Sequence, residues 1–524
     1  MKKQLWRVAA LGGLLALVVP AHRLGAQAAT ATTAAPAGQV IVYRYDTAHS
    51  GYTADTLPTP LSLLWRHTTT AAPNSPASPI TAGGIVYFGA GGHVYALRVA
   101  DGQTVWQYPA GDETATGTFS STPALDNGFL YIGSDDGQYY KLNAKTGAQV
   151  WAQKVGGAVR SAITVDGGVL YFGSADTHCY AASADTGDIL WSFPTSGPVT
   201  TSPSVAGNSV YFASADDSVY CVGKTTGRKT WSVQLSGDPT IAPPVYSNNM
   251  VFVGGGDTLY AFSPRSGETR WTKRLSSEIT TAPTIGPDFV AVGTVDGGLF
   301  VFNPSGKLRW SKSLGVPADG VPLLAGNVFL VPAQRGVLYA LAADTGKTNW
   351  QYAVPSSVTK MQARPNATEV TSSPVFADGT LYILGNDGTL SALRADVLST
   401  LPPQVQAMTP PPGSTVAAGT FPSATVVDEG SGIDPASVSL LLDGKPLSHV
   451  IYDPSKGQVL VDTSSPDAPS PPTLTDGAHQ VVVKAADWRG NAMTQTWGFV
   501  VNSQAGAGGG YGGGGGYGGG YPGQ

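Results

Sequence analysis

Hydrophobic and polar positions alternate along this chain in short runs, and the same order of runs returns about every 40 residues. The stretch "SPSVAGNSVYFASADDSVYCVGKTTGRKTW" (residues 202–231) shows one unit, with a short apolar run, a turn, two alternating runs, a Gly turn and a final run that contains Trp. Alternation with a period of two predicts half-buried β-strands. Each unit therefore predicts four strands in about 40 residues.

A tryptophan marks every unit, and a Gly lies four residues before each of the last seven: Trp65, Trp106, Trp151, Trp191, Trp231, Trp271, Trp310 and Trp350. Four-stranded units repeated at this period are typical of β-propellers. The run that ends at Trp65 has no preceding unit, whereas the unit after Pro374 has no closing Trp. We therefore predict that the N-terminal strand completes the last of eight blades, which removes exposed sheet edges.

The motifs "TGxxxW" and "xSPxxxxGxxYxGxxDGxxxAL" resemble the pyrroloquinoline-quinone-type repeat, over roughly residues 40–397. The segment "YRYDTAHSGYTADTLPTPLSLLW" also looks like the lead-in of such proteins. The resemblance implies an all-β fold, with a lead-in at 29–56 and an eight-bladed β-propeller at 57–399 whose tryptophans dock successive blades. In repeat type and blade number the chain is similar to the outer-membrane assembly lipoprotein B family, but it has no lipid-bearing Cys and carries an additional C-terminal region.

The pattern changes after Pro403. In residues 403–502, the series that ends "DGAHQVVVKAADWRGNAMTQTWGFVV" resembles bacterial immunoglobulin-like domains with a "DxxGN" hairpin, and this implies a β-sandwich. Asp428, Glu429 and Asp434 could form a Ca²⁺ site, although turn chemistry alone explains acidic residues beside Gly. Residues 503–524 are rich in Gly and Tyr and predict a disordered tail, because they have almost no side chains to bury.

The N-terminal 28 residues have the pattern of a cleaved signal peptide, with basic residues before an apolar run and Ala26-Gln27-Ala28 as the cleavage site. Their removal takes four basic and no acidic residues, which changes the formal net charge from −5 to −9. An acidic chain of this kind is a poor nucleic-acid binder. We expect a monomer, exported to the periplasm or to the cell surface and medium, without a membrane-spanning segment after cleavage.

The two cysteines lie on equivalent faces of successive repeats, since Cys179 stands 12 residues before Trp191 and Cys221 stands 10 before Trp231. They would not face each other, so the sequence predicts two buried free thiols rather than a disulfide. Neither has the neighbouring His or Cys that catalysis or metal binding requires.

Two functions are compatible with the repeat. One is a non-catalytic scaffold that binds a protein or polymer; the other is a quinone-dependent dehydrogenase that oxidises an alcohol or a sugar. The resemblance to such dehydrogenases implies carboxylate and Asn metal ligands, a catalytic Asp, an Arg near the cofactor and, in the alcohol dehydrogenases, two adjacent cysteines. This chain has no adjacent Cys pair, its inner strands offer Ser, Thr and Pro, and acidic pairs such as Asp135/Asp136 recur in turns. We therefore predict no catalytic residue, cofactor or metal.

The repeat becomes irregular at three connections. From each Trp to the next inner strand there are 12 residues in five repeats, but 14, 17 and 24 after Trp65, Trp106 and Trp350. These insertions enter blades 1, 2 and 8, which are neighbours in a closed ring, and loops on a rigid scaffold are common binding sites. We predict a partner-binding rim from residues 107–121 and 351–371, for an envelope protein or polysaccharide; tolerated surface insertions are the alternative. The candidate contact residues are Tyr108, Phe119, Lys360, Met361 and Arg364.

Overall fold

The structure is a computed structural model that describes residues 39–69, 77–111, 113, 115–235, 242–354, 371–464, 466–470 and 474–503. The predicted signal peptide, the tail from residue 504 and the candidate rim residues Lys360, Met361 and Arg364 lie outside this part of the chain. The described chain begins with a 3-10 turn at Tyr43–Tyr45, followed by strands β1 (Tyr52–Thr53) and β2 (Ser62–Thr68).

The repeats fold into eight consecutive sheets in the described residues, each with four antiparallel strands, which follow one another along the chain in sheets 1 to 7. Sheets 1 to 4 consist of β3 (Ile80–Ala82), β4 (Ile85–Ala90), β5 (His93–Arg98), β6 (Thr104–Tyr108); β7 (Ala124–Asp126), β8 (Phe129–Gly133), β9 (Gln138–Asn143), β10 (Gln149–Lys154); β11 (Thr164–Asp166), β12 (Val169–Ser174), β13 (His178–Ser183), β14 (Ile189–Pro194); and β15 (Ser204–Ala206), β16 (Ser209–Ser214), β17 (Ser218–Gly223), β18 (Lys229–Gln234).

Sheets 5 to 8 repeat this arrangement with two additions from the N-terminal end. They consist of β19 (Val245–Ser247), β20 (Met250–Gly255), β21 (Thr258–Phe262), β22 (Thr269–Arg274); β23 (Thr284–Ile285), β24 (Val290–Gly293), β25 (Gly298–Phe302), β26 (Leu308–Ser313); β27 (Leu323–Ala325), β28 (Val328–Ala333), a 3-10 turn (Gln334–Gly336), β29 (Val337–Ala342), β30 (Thr348–Ala353); and β31 (Val375–Ala377), β32 (Thr380–Leu384), β33 (Thr389–Arg394). β1 joins sheet 7 parallel to β27, and β2 is the fourth strand of sheet 8, antiparallel to β33 as predicted.

The repeated Trp and Gly meet between neighbouring sheets. Trp191 of sheet 3 donates its indole N–H to the carbonyl of Lys224 in sheet 4, at 2.9 Å. Gly227 faces the same ring with φ +63°, and a Cβ there would lie 2.8 Å from the indole. The turn therefore needs Gly for its left-handed backbone and for the close approach of the ring. The same indole-to-carbonyl bond is formed by Trp65–Val99, Trp106–Ala144, Trp151–Asp185, Trp231–Pro264, Trp271–Pro304 and Trp310–Ala343.

These seven contacts link sheet 8 to sheet 1 and each later sheet to its successor, up to sheet 7. Between sheets 7 and 8 the pattern is interrupted, because the third and fourth strands of sheet 8 are far apart in sequence and share no Gly turn. Trp350 of sheet 7 instead donates its indole N–H to the carbonyl of Ser431, at 2.9 Å. A loop of the C-terminal region, residues 428–432, thus takes the place of the missing turn; we call it the closing loop.

The closing loop is held on both sides of the seam. Tyr352 of sheet 7 donates its hydroxyl hydrogen to the carbonyl of Glu429, at 2.9 Å, and the backbone N–H of Leu63 in sheet 8 donates to the carbonyl of Gly430, at 3.0 Å. Asp428 fixes the loop internally, since its Oδ1 accepts the backbone N–H groups of Ser431 and Gly432. The loop therefore hydrogen-bonds to both sheets at once.

The C-terminal region contains two further sheets, with strand orders β34-β36-β40-β39 and β35-β42-β41-β37-β38. Their strands are β34 (Gln404–Thr409), β35 (Thr415–Val416), β36 (Ser423–Val427), β37 (Ser439–Leu442), β38 (Lys445–Pro446), β39 (Val450–Asp453), β40 (Gln458–Val461), β41 (Gly477–Ala486) and β42 (Ala492–Val501), with a 3-10 turn at Pro435–Ser437. One core cluster joins Val426 and Val459 of the first sheet to Val483, Trp497 and Phe499 of the second. Apolar residues at every second position of β41 and β42 are buried in this cluster, which is typical of strands with one face in the core.

The hairpin between β41 and β42 adds a second contact with the repeats. Asp487 is 2% exposed and accepts the backbone N–H and the side-chain amide of Asn491, which fixes the "DxxGN" turn. This turn places Arg489 over sheet 8, where its guanidinium donates to the hydroxyl of Ser62 and to the carbonyls of Ala395 and Val397.

Both cysteines are free and fully buried, which confirms the prediction of two free thiols. Burial raises the pKa of both thiols, that of Cys221 to about 11. No helix in the described part of the chain is long and apolar enough to cross a membrane.

Candidate functional site

Residues 39–53, here called the N-terminal segment, contact the first strand of every one of the eight sheets. Backbone hydrogen bonds join the segment to six of them, and the side chains of Tyr45 and His49 reach the other two. In sheet order, the pairs are Val40–Thr81, Ile41–Leu125, His49–Thr164, Thr47–Val205, Ala48–Tyr246, Ser50–Ile285, Gly51–Leu324 and Tyr45–Phe376. The eight first strands therefore converge on this short piece of chain.

Such a path requires sharp bends. Arg44, Tyr45 and His49 adopt positive φ values of 56°, 77° and 61°, which non-Gly residues rarely do. Asp46 fixes the bend that follows, because its carboxylate accepts both the backbone N–H and the hydroxyl of Ser50. Desolvation lowers the pKa of His49 to about 3, so this imidazole is neutral at pH 7.

Arg44 is the buried cation of the segment, with 3% of its surface exposed. Its Nη2 donates to the carbonyl of Pro283, at 2.8 Å, and to Oγ1 of Thr284, at 3.0 Å. Its Nε and Nη1 have no hydrogen-bond partner among the described residues. A small cavity of about 10 Å³ lies beside it. Desolvation lowers the pKa of the guanidinium.

The connection from sheet 1 to sheet 2, residues 107–121 and here called the rim loop, is held by the hairpins on both sides. The backbone N–H of Phe119 donates to Gly91 at 2.7 Å, and the N–H of Asp135 donates to Thr118 at 3.0 Å. The hydroxyl groups of Ser120 and Thr118 also donate to the carboxylate of Asp135. Partial burial opposes ionisation of Asp135, but these bonds and Arg160 lower its pKa overall.

The expectation that Phe119 is an exposed anchor is wrong. Its side chain is 0% exposed and lies in the core between sheets 1 and 2, with its ring centroid 5.4 Å from that of Tyr140. Tyr108 is half-buried and donates its hydroxyl hydrogen to Gln149. Of the two candidate contact residues in the described part of the chain, Tyr108 is partly exposed and stays a prediction, whereas Phe119 is buried beneath the rim loop.

A sequence signal for the burial of Phe119 was available. Phe119 stands four residues before the residue that opens the next first strand, and the same position in regular repeats is apolar. Those equivalents are buried and share its backbone bond to the preceding hairpin: Val159, Val199 and Ile279. Because the rim loop is longer than a regular connection, counting from Trp106 does not align Phe119 with these equivalents.

The carboxylates considered as Ca²⁺ ligands each have a protein partner. Asp428 accepts N–H groups of the closing loop, Glu429 pairs with Arg66 at 2.9 Å, and Asp434 accepts the N–H of Ala436. No group of three or more His, Cys, Asp or Glu suited to a metal ion occurs in the described residues. Beside Arg44 there is room for about one water molecule. A tricyclic quinone with its Ca²⁺ does not fit there.

Among curated relatives, a tetrathionate hydrolase from Acidithiobacillus ferrooxidans is 39% identical over 64 residues, 12% of either chain. Outer membrane protein assembly factor BamB of Escherichia coli K12 is 35% identical over 91 residues, 16% of this chain and 23% of the relative. A quinohemoprotein alcohol dehydrogenase from Comamonas testosteroni is 28% identical over 111 residues, which are 20% of this chain and 16% of the relative. The matches span 12–28% of the length of the curated relatives.

Solved structures share the fold at low identity. BamB from Moraxella catarrhalis superposes with a TM-score of 0.52 at 18% identity, over 64% of this chain and 99% of that one. The Comamonas testosteroni dehydrogenase superposes with a TM-score of 0.56 at 16% identity, over 71% of this chain and 83% of that one. A family model described as outer membrane protein assembly factor BamB matches residues 2–122, 113–217 and 215–414. Because these matches cover most of the sequence, the chain belongs to this PQQ-like repeat family.

Proposed function

We propose that the protein is an exported, non-catalytic scaffold that binds an envelope protein or polysaccharide through the rim loop and the neighbouring connection at 351–371. In this proposal the eight sheets are the blades of one closed propeller at 57–399, and residues 403–502 form an immunoglobulin-like sandwich. The family membership supports a role in the envelope, since the family model and some of the matching relatives, such as that of Escherichia coli, are named for outer membrane protein assembly.

The observation that carries the proposal is the way in which the rim loop is held. Its buried face is bonded to the hairpins of sheets 1 and 2, whereas Gly111, Glu113, Thr116 and Thr118 are exposed. A loop fixed in this manner loses little conformational freedom when a partner binds. Exposed polar groups on a rigid scaffold are a common form of binding surface.

Exchange of the rim loop for a regular connection tests the proposal. Residues 107–122 are replaced by residues 192–202, which supply Val199 at the place of Phe119. We expect at least ten-fold less capture of a partner from detergent-solubilised envelopes or, for a polysaccharide partner, from purified peptidoglycan sacculi. Mature protein bearing residues 192–202 in place of 152–162 is the matched control, since it exchanges one regular connection for another. If the exchanged protein folds and captures as much as this control, the rim is not the binding surface.

A further inference from the structure

The N-terminal segment contains a buried positive charge, Arg44, which Asp46 attracts electrostatically without forming an ion pair with it. Arg44 is 3% exposed, and no carboxylate of the described residues forms an ion pair with it. The closest acidic residue in sequence, Asp46, directs both oxygens to Ser50. An isolated buried charge is costly unless it is paired or solvated. No carboxylate of the described residues therefore lies within ion-pair distance of this guanidinium.

The groups around the cavity are hydrogen-bond donors. Arg44 and Ser373 both line it, and Nε and Nη1 of Arg44 and the hydroxyl of Ser373 are buried and have no partner among the described residues. Ser78 lines the same cavity, and its Oγ accepts the backbone N–H of Ser373 at 2.9 Å, so its hydroxyl hydrogen remains available to donate. A guanidinium with two hydroxyl groups is a donor set for an anion.

The size of the cavity selects the kind of anion. The cavity volume of about 10 Å³ corresponds to about one water molecule. Carboxylates, phosphate and sulfate need more room. We propose that this cavity binds one monatomic monovalent anion of the chloride type, held by Arg44 and Ser373, and that the anion fixes the N-terminal segment against sheets 6, 7 and 8. A water molecule would fill the space without neutralising the charge.

Thermal unfolding of the mature full-length protein at constant ionic strength tests the site. With sodium chloride or bromide in place of sodium gluconate, we expect the unfolding temperature to rise and then to saturate, as for a ligand bound only by the folded state. Crystals soaked in bromide should give an anomalous scattering peak beside Arg44. Absence of that peak, or the same unfolding temperature in halide and gluconate, would overturn the proposal in favour of water.

Substitution of Ser373 by Ala provides the second readout. It removes one donor to the anion and keeps the backbone bond to Ser78, so we expect about a ten-fold weaker halide dependence, as for loss of one hydrogen bond to a charged group. Ser391→Ala is the matched control, because this hydroxyl is also buried and without a partner but does not line the cavity. Equal halide dependence in the two variants would contradict the assignment. Partner capture is measured separately and does not enter this test.

Discussion

Replacement of Trp350 by Ala is expected to lower the free energy of unfolding by about 3–5 kcal/mol, the usual cost of truncating a fully buried Trp. The indole is 0% exposed, stacks on Tyr352 and bonds to the closing loop. Its loss leaves a cavity between sheet 7 and the C-terminal region, at the one seam without a Gly turn. Denaturant unfolding gives the free energy, and limited proteolysis between residues 394 and 404 reports release of the C-terminal region.

Trp151 is the matched control, because it forms the same kind of indole bond with a half-buried side chain. We expect Trp151→Ala to lower the free energy of unfolding clearly less than Trp350→Ala does, and to leave the C-terminal region resistant to protease. Equal costs for the two variants, without new cleavage after residue 394, would mean that the closing loop does not hold the seam.

A glycine pair tests the same contact independently. Gly432 and Gly444 both have positive φ, 82° and 76°, so Ala is strained at either. A Cβ on Gly432 would lie 2.8 Å from the carbonyl oxygen of Gln351, whereas one on Gly444 meets nothing within 4 Å. Gly432→Ala should therefore destabilise by about 1–3 kcal/mol more than Gly444→Ala, the range typical of overpacking. A smaller effect at Gly432 would contradict the close packing of the loop.

Substitution of Phe119 by Ala is expected to cost about 3–5 kcal/mol of stability, as for other fully buried aromatic side chains. The ring lies between sheets 1 and 2 against Tyr140, and its loss leaves a void beneath the rim loop. Thermal and denaturant unfolding measure the effect. Because the rim loop depends on this support, partner capture should fall in parallel with stability.

Tyr108→Ala is the matched comparison for Phe119→Ala, because Tyr108 is half-buried and its ring packs against the ring of Phe119. We expect a smaller loss of stability from it than from Phe119→Ala. If Phe119→Ala kept full stability and lost capture alone, the ring would be a surface anchor and the burial found here would be contradicted.

Local patterns in the sequence were sufficient for the repeated part of the fold. The alternation in "SVYFAS" and "SVYCVG" gave strands β16 and β17 with the bounds that the structure has. The position of Trp65 predicted the pairing of β2 with β33, because a lone Trp strand and an incomplete last unit complete each other. The repeat period and the turn residues predict contacts between segments that are close in sequence or equivalent in neighbouring repeats. The strand pairings within the sheets are contacts of this kind.

Contacts between unlike segments were not predictable in the same way. The partner of Trp350 lies 81 residues later, in a loop without the repeat motif. The path of the N-terminal segment depends on positive φ at Arg44, Tyr45 and His49. Because these residue types rarely adopt positive φ, the sequence does not predict these bends. At the rim, inserted residues concealed the register that places Phe119 in the core. Repetition thus predicts the sheets and the pairing of β2 with β33, but it does not predict the contacts of the closing loop or of the N-terminal segment.

Binding of pyrroloquinoline quinone is the most direct test of the scaffold function. The first strands of the sheets converge on the protein's own N-terminal segment, and the cavity beside Arg44 has room for about one water molecule. Mature full-length protein is titrated with the quinone in the presence of Ca²⁺ by calorimetry, and the dialysed sample is examined by absorption spectroscopy. We expect no saturable heat and no quinone band. One quinone retained per chain, with a spectrum that changes on addition of an alcohol, would contradict the scaffold function.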